Sequence, residues 1–530
     1  MKLFTKDYVR FEVHDDGQCI KEFTGIEQAA KALPGDEVTA EGALLQRVEH
    51  PPIVGIVHLQ SKTKYGMTGR GFPIYLFEPI NKAYPLMIVG CSEKGCMSTN
   101  IIGLAKFESW LPATKYPRAN LIRLLGACGD PDAEAESILL RYSPWPYPKN
   151  TSLSPNYESE LLKRPLIEGY TFNIDPPGCQ DIDDVFTVAK IESGWSLTIS
   201  ITDVATAIEE GSPLDIHGKR VGQSLYPLGS EPRHMLPPSI GTDALSLGEG
   251  KLRNCISLCM KWSEDLGQLI STQEIILAKT KVDRAYTYRE AQDETRDELK
   301  TLKTMACYLA KRDLITTEEW VETLMIHYNN EIGTFLKSHS TGILRSHPEP
   351  DQEKIRRWTA IDPSLEMLAY SAATYSSSSS ASDSLHWGLS LTDYTHASSP
   401  LRRYADLYNQ RCILAVLMEG RSKIYASEEL CKDLNFLGKN AKSFERDMFF
   451  LQALSENPDP RVTGTVVEVK SERLQIWVPA WNRLVNVKKG IDLDLDEEIN
   501  ISQKVRLSYY VQYQNARWKD KIVFSVTSLN

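Results

Sequence analysis

Four aspartates lie within the ten residues from Asp175 to Asp184, a stretch without lysine or arginine. The four are Asp175, Asp181, Asp183 and Asp184. Carboxylates held this close repel one another and raise one another's pKa, so a fold that gathers them needs a cation. Mg²⁺ prefers hard oxygen ligands and keeps positions open for phosphate oxygens, and a pair of ions can clamp both oxygens of a phosphodiester displacement. The segment predicts metal-dependent cleavage of a nucleic acid, with a solvated acidic turn as the alternative.

The residues around the aspartates indicate how they are held. A Pro176-Pro177-Gly178 turn separates the first aspartate from the other three. Val185–Val188 is a short apolar run, and Trp195–Ile201 alternates between apolar and polar residues as a strand does. We therefore expect the cluster on a loop that enters a sheet.

A second constellation lies in the string HWGLSLTDYTHASSPLRRYADLYNQR. Ser399 is predicted to cap a helix whose first residue is the following proline. A helix N-terminus with Arg402 and Arg403 beside it is a natural phosphate site. The alternative is a surface helix in which Arg402 and Asp406 pair at i and i+4.

Length and composition set the class of protein. The chain has 530 residues, 42% apolar and 25% charged, which predicts a soluble protein of two to four domains. No run of 18 apolar residues and no secretory signal are present, so no membrane partner is expected. Ten cysteines without C-x-x-C spacing predict a reduced, cytoplasmic protein, with the nucleus as the alternative. The net charge of −10 leaves room for a local basic channel.

The chain divides into three parts by pattern. Residues up to about 150 contain short β runs typical of small barrels. The middle part mixes strands with helices, expected near Glu318–Leu336 and Leu401–Met418, and Ser376–Ser380 has a linker composition. From about Arg461 the sequence alternates through about five strands, which predicts an OB fold.

Taken together, the two strings resemble the RNase II/RNase R (RNB) family of processive 3′→5′ exoribonucleases. The segments that carry the resemblance are IDPPGCQDIDD and HxGLxxxxYTHxxSPLRRYADL, with AYTYREAQ, LRSHPEP and YPRANLIRLLGACGD in agreement. The likeness covers nearly the whole chain and is greatest to the eukaryotic branch that includes the exosome's catalytic exoribonuclease. The N-terminal endonuclease module of that branch has no counterpart here.

The resemblance implies a multidomain α+β fold. It predicts a short or partial cold-shock-like barrel over residues 1–50 and a second cold-shock-like OB barrel over 51–150. An RNB catalytic α/β domain is expected over 160–455, and a C-terminal OB-fold RNA-binding barrel over 456–530.

The same resemblance implies roles for individual residues. Asp183 and Arg402 would be catalytic, and the four aspartates would bind two Mg²⁺ ions, with Mn²⁺ as a substitute. The residues expected to contact RNA are Tyr226, Tyr288, Glu322, Ser399, Arg403 and Glu445.

Alternatives stay open for several of these residues. Tyr226 could be a core aromatic, and Glu322 and Glu445 could be surface carboxylates. The aromatics of the last part could be base platforms or barrel core. We assign His396 no catalytic role, because hydrolysis with two metal ions needs no imidazole base.

Two departures from the family pattern bear on function. The family's histidine before Arg411 is Gln410 here, and the segment between Tyr288 and Val321 is much shorter than expected. In the family this segment bears a strand pair that helps enclose the RNA end. We therefore predict a base stack that is open on one side or closed by a substitute ring such as Trp320.

Three functions follow from the sequence. The leading hypothesis is a metal-dependent, processive 3′→5′ exoribonuclease that hydrolyses single-stranded RNA to nucleoside 5′-monophosphates. The second is a catalytically silent RNA-binding scaffold of the same fold, and the third is a DNA-directed nuclease. Single-stranded RNA is the expected partner, and either an exosome-like or other RNA-degradation complex or a monomer is compatible with the chain.

Overall fold

The computed structural model describes residues 1–528 except 16–17, 28, 30, 94–98, 271–272, 380–384, 421–425, 457–460, 489–492 and 495–498. The side chains of residues 493–494 and 527–528 are also outside the description. In the described part, no helix has both the length and the apolar character needed to cross a membrane. Nine of the ten cysteines are described and all nine are free thiols, while Cys96 lies outside the described residues.

The N-terminal part is an antiparallel sheet that buries one face. Its strands are β1 (Lys2–Thr5), β2 (Arg10–Asp15), β3 (Gln18–Thr24), β4 (Glu37–Val38) and β5 (Leu44–Gln46). They lie in the order β3-β2-β1-β4-β5. Within the described residues β3 and β5 do not pair with each other, so this sheet is open. Leu3, Phe11 and Val13 are fully buried in its small core.

The following strands form a closed barrel in the order β10-β8-β7-β6-β9. They are β6 (Ile53–Val57), β7 (Ile74–Pro79), β8 (Met87–Gly90), β9 (Ile101–Ser109) and β10 (Arg118–Ala127). Gly55 permits the close strand approach, because a Cβ there would lie 2.5 Å from the Glu78 carbonyl oxygen. Helix α1 (Pro131–Tyr142) follows, and the proline-rich segment from Ser143 to Pro148 is not helical, because proline lacks the N–H donor of a helix.

The central part is built on a six-stranded mixed sheet. Its strands are β11 (Tyr170–Asp175), β12 (Asp184–Ile191), β13 (Gly194–Thr202), β14 (Leu252–Trp262), β15 (Glu274–Lys281) and β16 (Arg284–Thr287). They lie in the order β15-β14-β13-β12-β11-β16, and only β11 and β16 are parallel neighbours. The predicted loop into a sheet is therefore the β11–β12 connection.

Helices cover this sheet and complete its core. They are α2 (Asn156–Lys163), α3 (Val204–Ala207), α4 (Pro213–Val221), α5 (Tyr288–Asp293), α6 (Asp297–Ala310), α7 (Thr317–Ser338), α8 (Gln352–Thr359), α9 (Tyr404–Glu419) and α10 (Glu428–Glu456). Tyr328 of α7 and Leu407 of α9 pack in one cluster with Phe186 of β12. A capping box between Thr316 and Glu319 fixes the start of α7, in agreement with the predicted helix.

Between α7 and α9 lies a two-stranded antiparallel pair, β17 (Ile343–Ser346) with β18 (Thr374–Ser377). The linker predicted at Ser376–Ser380 is therefore wrong for its first residues, because Ser376 and Ser377 are strand residues paired with Leu344 and Ile343. Ser380 lies outside the described residues. Composition alone missed a strand whose partner is about thirty residues earlier in the chain.

Within the described residues the C-terminal part is a six-stranded sheet, where about five strands were predicted. Its strands are β19 (Val462–Val469), β20 (Arg473–Val478), β21 (Arg483–Lys488), β22 (Leu493–Asp494), β23 (Lys504–Val511) and β24 (Ile522–Ser528), with a short α11 (Trp518–Lys521) before β24. Trp477, Trp481 and Trp518 are buried. Of the aromatics left open by the sequence, these three are core, while Tyr510 and Tyr513 are exposed.

These sheets and helices confirm the predicted multidomain α+β class. The domain boundaries named from the sequence stay predictions. What the fold fixes for function is one edge of the central sheet, where the β11–β12 loop, the start of α5 and the segment before α9 meet.

Candidate active site

The aspartates are positioned by a hairpin and a tight turn. Asp175 ends β11 and Asp184 begins β12. Between them the amide of Cys179 donates to the Pro176 carbonyl oxygen at 3.1 Å, and Gly178 has φ +80°. A type II turn, in which proline is common at the second position, needs a positive φ at the third, which glycine adopts without a steric penalty. The sequence PPG therefore returns the chain so that both ends of the loop present carboxylates at the same sheet edge.

Burial sets the electrostatics of this loop. It raises the pKa of Asp183 well above the ordinary value, and it raises that of Asp184 to about 8, with Asp175 adding to the effect. Burial also raises the pKa of Asp175. Three of the four carboxyl groups thus lie where a negative charge is poorly compensated by the protein itself.

Asp181 has different surroundings. Burial alone would raise its pKa, but hydrogen bonds from His234 and Tyr226 outweigh burial and lower it. The Tyr226 hydroxyl donates to Asp181 Oδ2 at 2.5 Å, and His234 Nδ1 lies 3.5 Å from the same oxygen. Asp181 is therefore the carboxylate that stays ionised most readily.

Asp183 meets the second constellation directly. The backbone amide of Leu401 donates to Asp183 Oδ1 at 2.8 Å, and Arg402 Nε lies 3.4 Å from Asp183 Oδ2. Oδ2 is buried and accepts no hydrogen bond from the described residues. The two strings recognised in the sequence are thus joined at one carboxylate.

The predicted helix cap at Ser399 is wrong. Helix α9 begins at Tyr404, and Arg403 occupies the position before it in an extended conformation. The reason is Asp406, whose Oδ1 accepts both from the Ser399 amide and from Arg403 Nη2 at 2.8 Å. This carboxylate holds residues 399–403 in a turn and delays the helix. The predicted Arg402–Asp406 pair is likewise wrong, because Arg403 pairs with Asp406 and leaves Arg402 for Asp183.

These groups surround a cavity of about 600 Å³. We call it the acidic pocket. The predicted site residues that line it are Asp175, Asp181, Asp183, Asp184, Tyr226, Tyr288, Glu322, Ser399, Arg402 and Arg403. Tyr288 and Glu322 lie on α5 and α7 across from the aspartates, and Tyr226 has 43% of its surface exposed, which excludes the core alternative for that residue.

Glu445 is the predicted residue that the fold places elsewhere. It is exposed on α10 and lines an adjoining groove instead of the acidic pocket. That groove shares Tyr226, His396, Arg402 and Arg403 with the acidic pocket. The two depressions are therefore neighbours, with these side chains as a common wall.

The residues of the pocket fit divalent metal ions. Asp183 Oδ2 is a buried oxygen without a hydrogen-bond donor among the described residues, and burial raises the pKa of three of the carboxyl groups. An all-carboxylate donor set suits Mg²⁺ or Mn²⁺. No three of the aspartates bring oxygens within 4.8 Å of one another in this conformation, since Asp183 faces Arg402 and Asp181 faces Tyr226. The aspartates would hold the ions after a small reorientation of side chains.

Comparison with known protein families identifies the domain that contains this pocket. The model of the RNB domain matches residues 163–317 and 300–419, which include every residue named above for the pocket. The model of the Dis3-like cold-shock domain 2 matches residues 74–143, the part of the closed barrel from β7 onward together with α1.

The chain contains an RNB domain.

Curated relatives match much of the chain at low identity. The exosome complex exonuclease RRP44 homolog A of Arabidopsis thaliana is 25% identical over 480 residues, covering 71% of this chain and 50% of the relative. The human exosome complex exonuclease RRP44 is 24% identical over 535 residues, covering 82% of this chain and 54% of the relative. The chain thus spans about half the length of these relatives.

Solved structures match over almost the whole chain. The apo form of Mycoplasma genitalium RNase R has a TM-score of 0.70 at 16% identity and covers 98% of both chains. Yeast Ssd1, described as a pseudonuclease, has a TM-score of 0.64 at 16% identity, covering 96% of this chain and 81% of Ssd1. At this identity the likeness is one of fold alone, and the RNB fold is compatible with catalysis and with its loss.

Trp320 of the RNB domain does not close a base stack, so that part of the sequence prediction is wrong. Its side chain is 4% exposed and packs in the main core. The short segment between Tyr288 and Val321 forms helices α5 and α6 in place of a strand pair. Lys303 of α6 places its Nζ 5.4 Å from the centre of the Trp320 ring, a contact that the sequence pattern did not reveal.

Several RNB-domain residues at the site were not predicted from sequence. Asn173 Nδ2 donates to Asp175 Oδ2 at 2.7 Å, and Asn329 accepts from the Ala397 amide and holds the loop before Arg402. His396 lines the pocket, where burial and nearby arginines lower its pKa well below the ordinary value. Asn173 could have been found from its position two residues before Asp175 on the same strand face, whereas Asn329 and His234 carry no local signal.

Proposed function

We propose that this protein is a 3′→5′ exoribonuclease that hydrolyses single-stranded RNA to nucleoside 5′-monophosphates. The observation that carries the proposal is the meeting of four aspartates with Arg402 in one pocket of an RNB domain. The names of the relatives support it, since those proteins are described as exosome exonucleases. Structures of M. genitalium RNase R were determined with ribose-methylated single-stranded RNA and with double-stranded RNA, which supports RNA as the substrate class.

The pocket residues have different roles in the proposed reaction. Divalent ions, Mg²⁺ by preference, held by Asp175, Asp181, Asp183 and Asp184 would neutralise phosphate charge and activate a water. Arg402, 44% exposed in its side chain beside Asp183, places a fixed cation at the phosphate under attack.

The far wall of the pocket holds the RNA end. Tyr288 offers a ring, and burial beside Asp175 and Asp184 raises its pKa to about 12, so its hydroxyl stays protonated and donates hydrogen bonds. Glu322 offers a carboxylate that can accept from ribose hydroxyls, which are the groups that distinguish RNA from DNA. Tyr226 presents an exposed ring on which a base can stack without sequence preference.

Processivity, cytoplasmic location and membership of an exosome-like or other RNA-degradation complex are part of the proposal. Processivity and membership of a complex rest on the family and on the relatives' names, whereas the location rests on the reduced cysteines expected from the sequence. The yeast Ssd1 likeness favours one competing function, a silent RNA-binding scaffold. Intact carboxylates and Arg402 at the site weigh against it, because a scaffold has no need to keep three poorly compensated carboxyl groups together beside a fourth.

One assay tests the proposal. RNA and DNA oligomers labelled at the 5′ end are incubated with the protein and Mg²⁺, and products are resolved by length. A ladder that shortens from the 3′ end on RNA alone is expected. Retained binding without shortening selects the scaffold, and shortening of DNA selects a DNA-directed nuclease. Loss of shortening with a chelator and its return with Mg²⁺ or Mn²⁺ tests the metal assignment.

A further inference from the structure

A mixed group of metal-ligating side chains lies on the N-terminal sheet. Glu12 and His14 of β2 and Cys19 of β3 each bring one ligand atom within 4.8 Å of the other two. In the part of the chain that the structure describes, no other three histidine, cysteine or acidic side chains converge this closely. The proposed exoribonuclease activity makes no use of this group.

Strand alternation places the carboxylate and the imidazole side by side. Phe11 and Val13 of β2 are buried in the core of the sheet, so Glu12 and His14 project from its outer face. His14 Nε2 lies 2.8 Å from Glu12 Oε2. The ring of Phe4 on β1 packs against the imidazole with 4.5 Å between the ring centres, which restricts the directions that the imidazole can take.

A β-bulge brings the thiol to the same face. Val13 of β2 pairs with Lys21 of β3. The next residue, His14, pairs with Cys19, which leaves Ile20 as an extra residue between the two pairs. Regular alternation would turn Cys19 toward the core, whereas the bulge turns it to the outer face, opposite His14. Among the nine described cysteines, Cys19 alone is exposed.

Strand β3 is held weakly by the core. It lies at one edge of the sheet, whose strand order is β3-β2-β1-β4-β5. Phe23 is its one buried residue, and the rest of Gln18–Thr24 is exposed or half-buried. An ion that joins this edge strand to its neighbour would add its binding free energy to the stability of the folded sheet.

We propose that Glu12, His14 and Cys19 form a zinc site that joins β3 to β2. Thiolate, imidazole and carboxylate are the ligands that Zn²⁺ takes, whereas Mg²⁺ takes oxygen ligands. Zinc ligands at about 2.0–2.3 Å in a tetrahedron lie about 3.3–3.8 Å from one another, so small rotations of these side chains close the site. The outer face is open to solvent, and a water takes the fourth position. Cys19 releases its thiol proton to solvent when the ion binds.

Cobalt(II) is the probe for this site, because it accepts the same ligands and a thiolate ligand gives it a charge-transfer absorption band. The full chain is titrated with Co²⁺ under reducing conditions and in excess Mg²⁺, which competes for the acidic pocket. About one equivalent should saturate the band, and Zn²⁺ should remove it. Cys19→Ser should abolish the band. His14→Ala should weaken Co²⁺ binding by about 100-fold or more, because loss of an outer-shell partner already costs about 10- to 100-fold.

The closed barrel offers a matched control. His58 Nε2 lies 2.9 Å from Glu78 Oε2, and the two side chains are exposed about as much as those of His14 and Glu12. Among the described residues no third ligand converges on this second pair. His58→Ala should therefore leave Co²⁺ affinity unchanged. If it weakens binding as much as His14→Ala does, the zinc site is overturned.

Cys179 is the competing thiol, because its Sγ lies 3.7 Å from Asp181 Oδ1 in the acidic pocket. A band that survives Cys19→Ser and disappears in Cys179→Ser would place the ion in that pocket and overturn the zinc site. The absence of a thiolate band from the wild-type protein would overturn it as well.

Alkylation tests the site in the wild-type protein, without any variant. Zn²⁺ should slow the reaction of Cys19 with iodoacetamide at least about tenfold, because the bound ion occupies the thiolate that reacts. Mass spectrometry of the peptide that contains Cys19 measures the rate. An unchanged rate in saturating Zn²⁺ would overturn the site, whether or not the protein shortens RNA.

Discussion

The acidic pocket and the groove beside it share a wall but carry opposite charges. In the acidic pocket, burial raises the pKa of Asp175, Asp183 and Asp184, and these carboxyl groups are suited to bind cations. In the adjoining groove, the exposed cations Lys439, Lys442 and Arg446 of α10 can bind phosphates. Arg402 and Tyr226 belong to both. Catalysis and RNA binding therefore depend on different residues. Substitutions in the pocket should change turnover, and substitutions in the groove should change affinity.

Asp183→Asn should have the largest effect. Asparagine can still accept from the Leu401 amide, but it removes the negative charge that faces Arg402. Hydrolysis should fall on the order of 10³-fold or more, as expected for loss of a catalytic group, while Kd for RNA stays close to that of the wild type. Single-turnover rates and equilibrium binding measure the two separately. Asp243→Asn, at an exposed aspartate outside the pocket, is the control. Retention of more than about half of the activity by Asp183→Asn would remove this residue from the site.

Arg402→Ala should have the next largest effect. It tests the role of a residue that lines both the pocket and the groove. Losing one preorganised cation at the reacting phosphate should lower kcat by about 10²–10³-fold. Kd should change much less, because the groove cations continue to hold the strand. Arg402→Lys keeps a charge and should recover part of the rate. If Kd rises by the same factor as kcat falls, Arg402 acts only in RNA binding, and the proposed separation of catalysis and binding between the two regions is wrong.

Substrate shape should have a moderate effect. A strand must separate from its partner to place bases on Tyr226 and a 3′ end beside Tyr288, and opening one base-pair step costs about 1.4 kcal/mol, or about tenfold. A blunt duplex should therefore be degraded at least about tenfold more slowly than a single strand. A 3′ overhang long enough to cover pocket and groove should restore the rate. Equal rates on all three substrates would contradict threading.

Trp320→Ala should have the smallest effect on the reaction. Trp320 lines neither region and is buried in the core, so its loss should cost about 3–5 kcal/mol of folding stability. The limit product should keep its length. Differential scanning calorimetry and product sizing measure the two effects, and Trp320→Phe should lower stability less. A longer limit product at a temperature where the variant is folded would reinstate a stacking role for this ring.

The sequence predicted those parts of the site that are encoded locally. The PPG turn, the aspartate spacing and the arginine pair are short-range patterns, and the fold brings them together in one pocket. The sequence did not predict the parts of the site that depend on which side chains meet in the fold. Asp406 holds back the start of α9 by accepting from Ser399, and Lys303 of α6 lies over the Trp320 ring. Neither interaction has a periodicity that could be seen in advance. Glu445 shows the same limit, since its helix was foreseeable but the depression that it lines was not.

The hydrogen bond from Leu401 to Asp183 joins residues 218 positions apart in the chain. During synthesis the four aspartates leave the ribosome long before Arg402 does, so the site is incomplete until Arg402 has been added. A nascent chain that has already made the aspartate loop still lacks the cation at the phosphate and the backbone donor that orients Asp183. If the proposed function holds, the protein is harmless to the message from which it is being translated until its site is closed by a late segment.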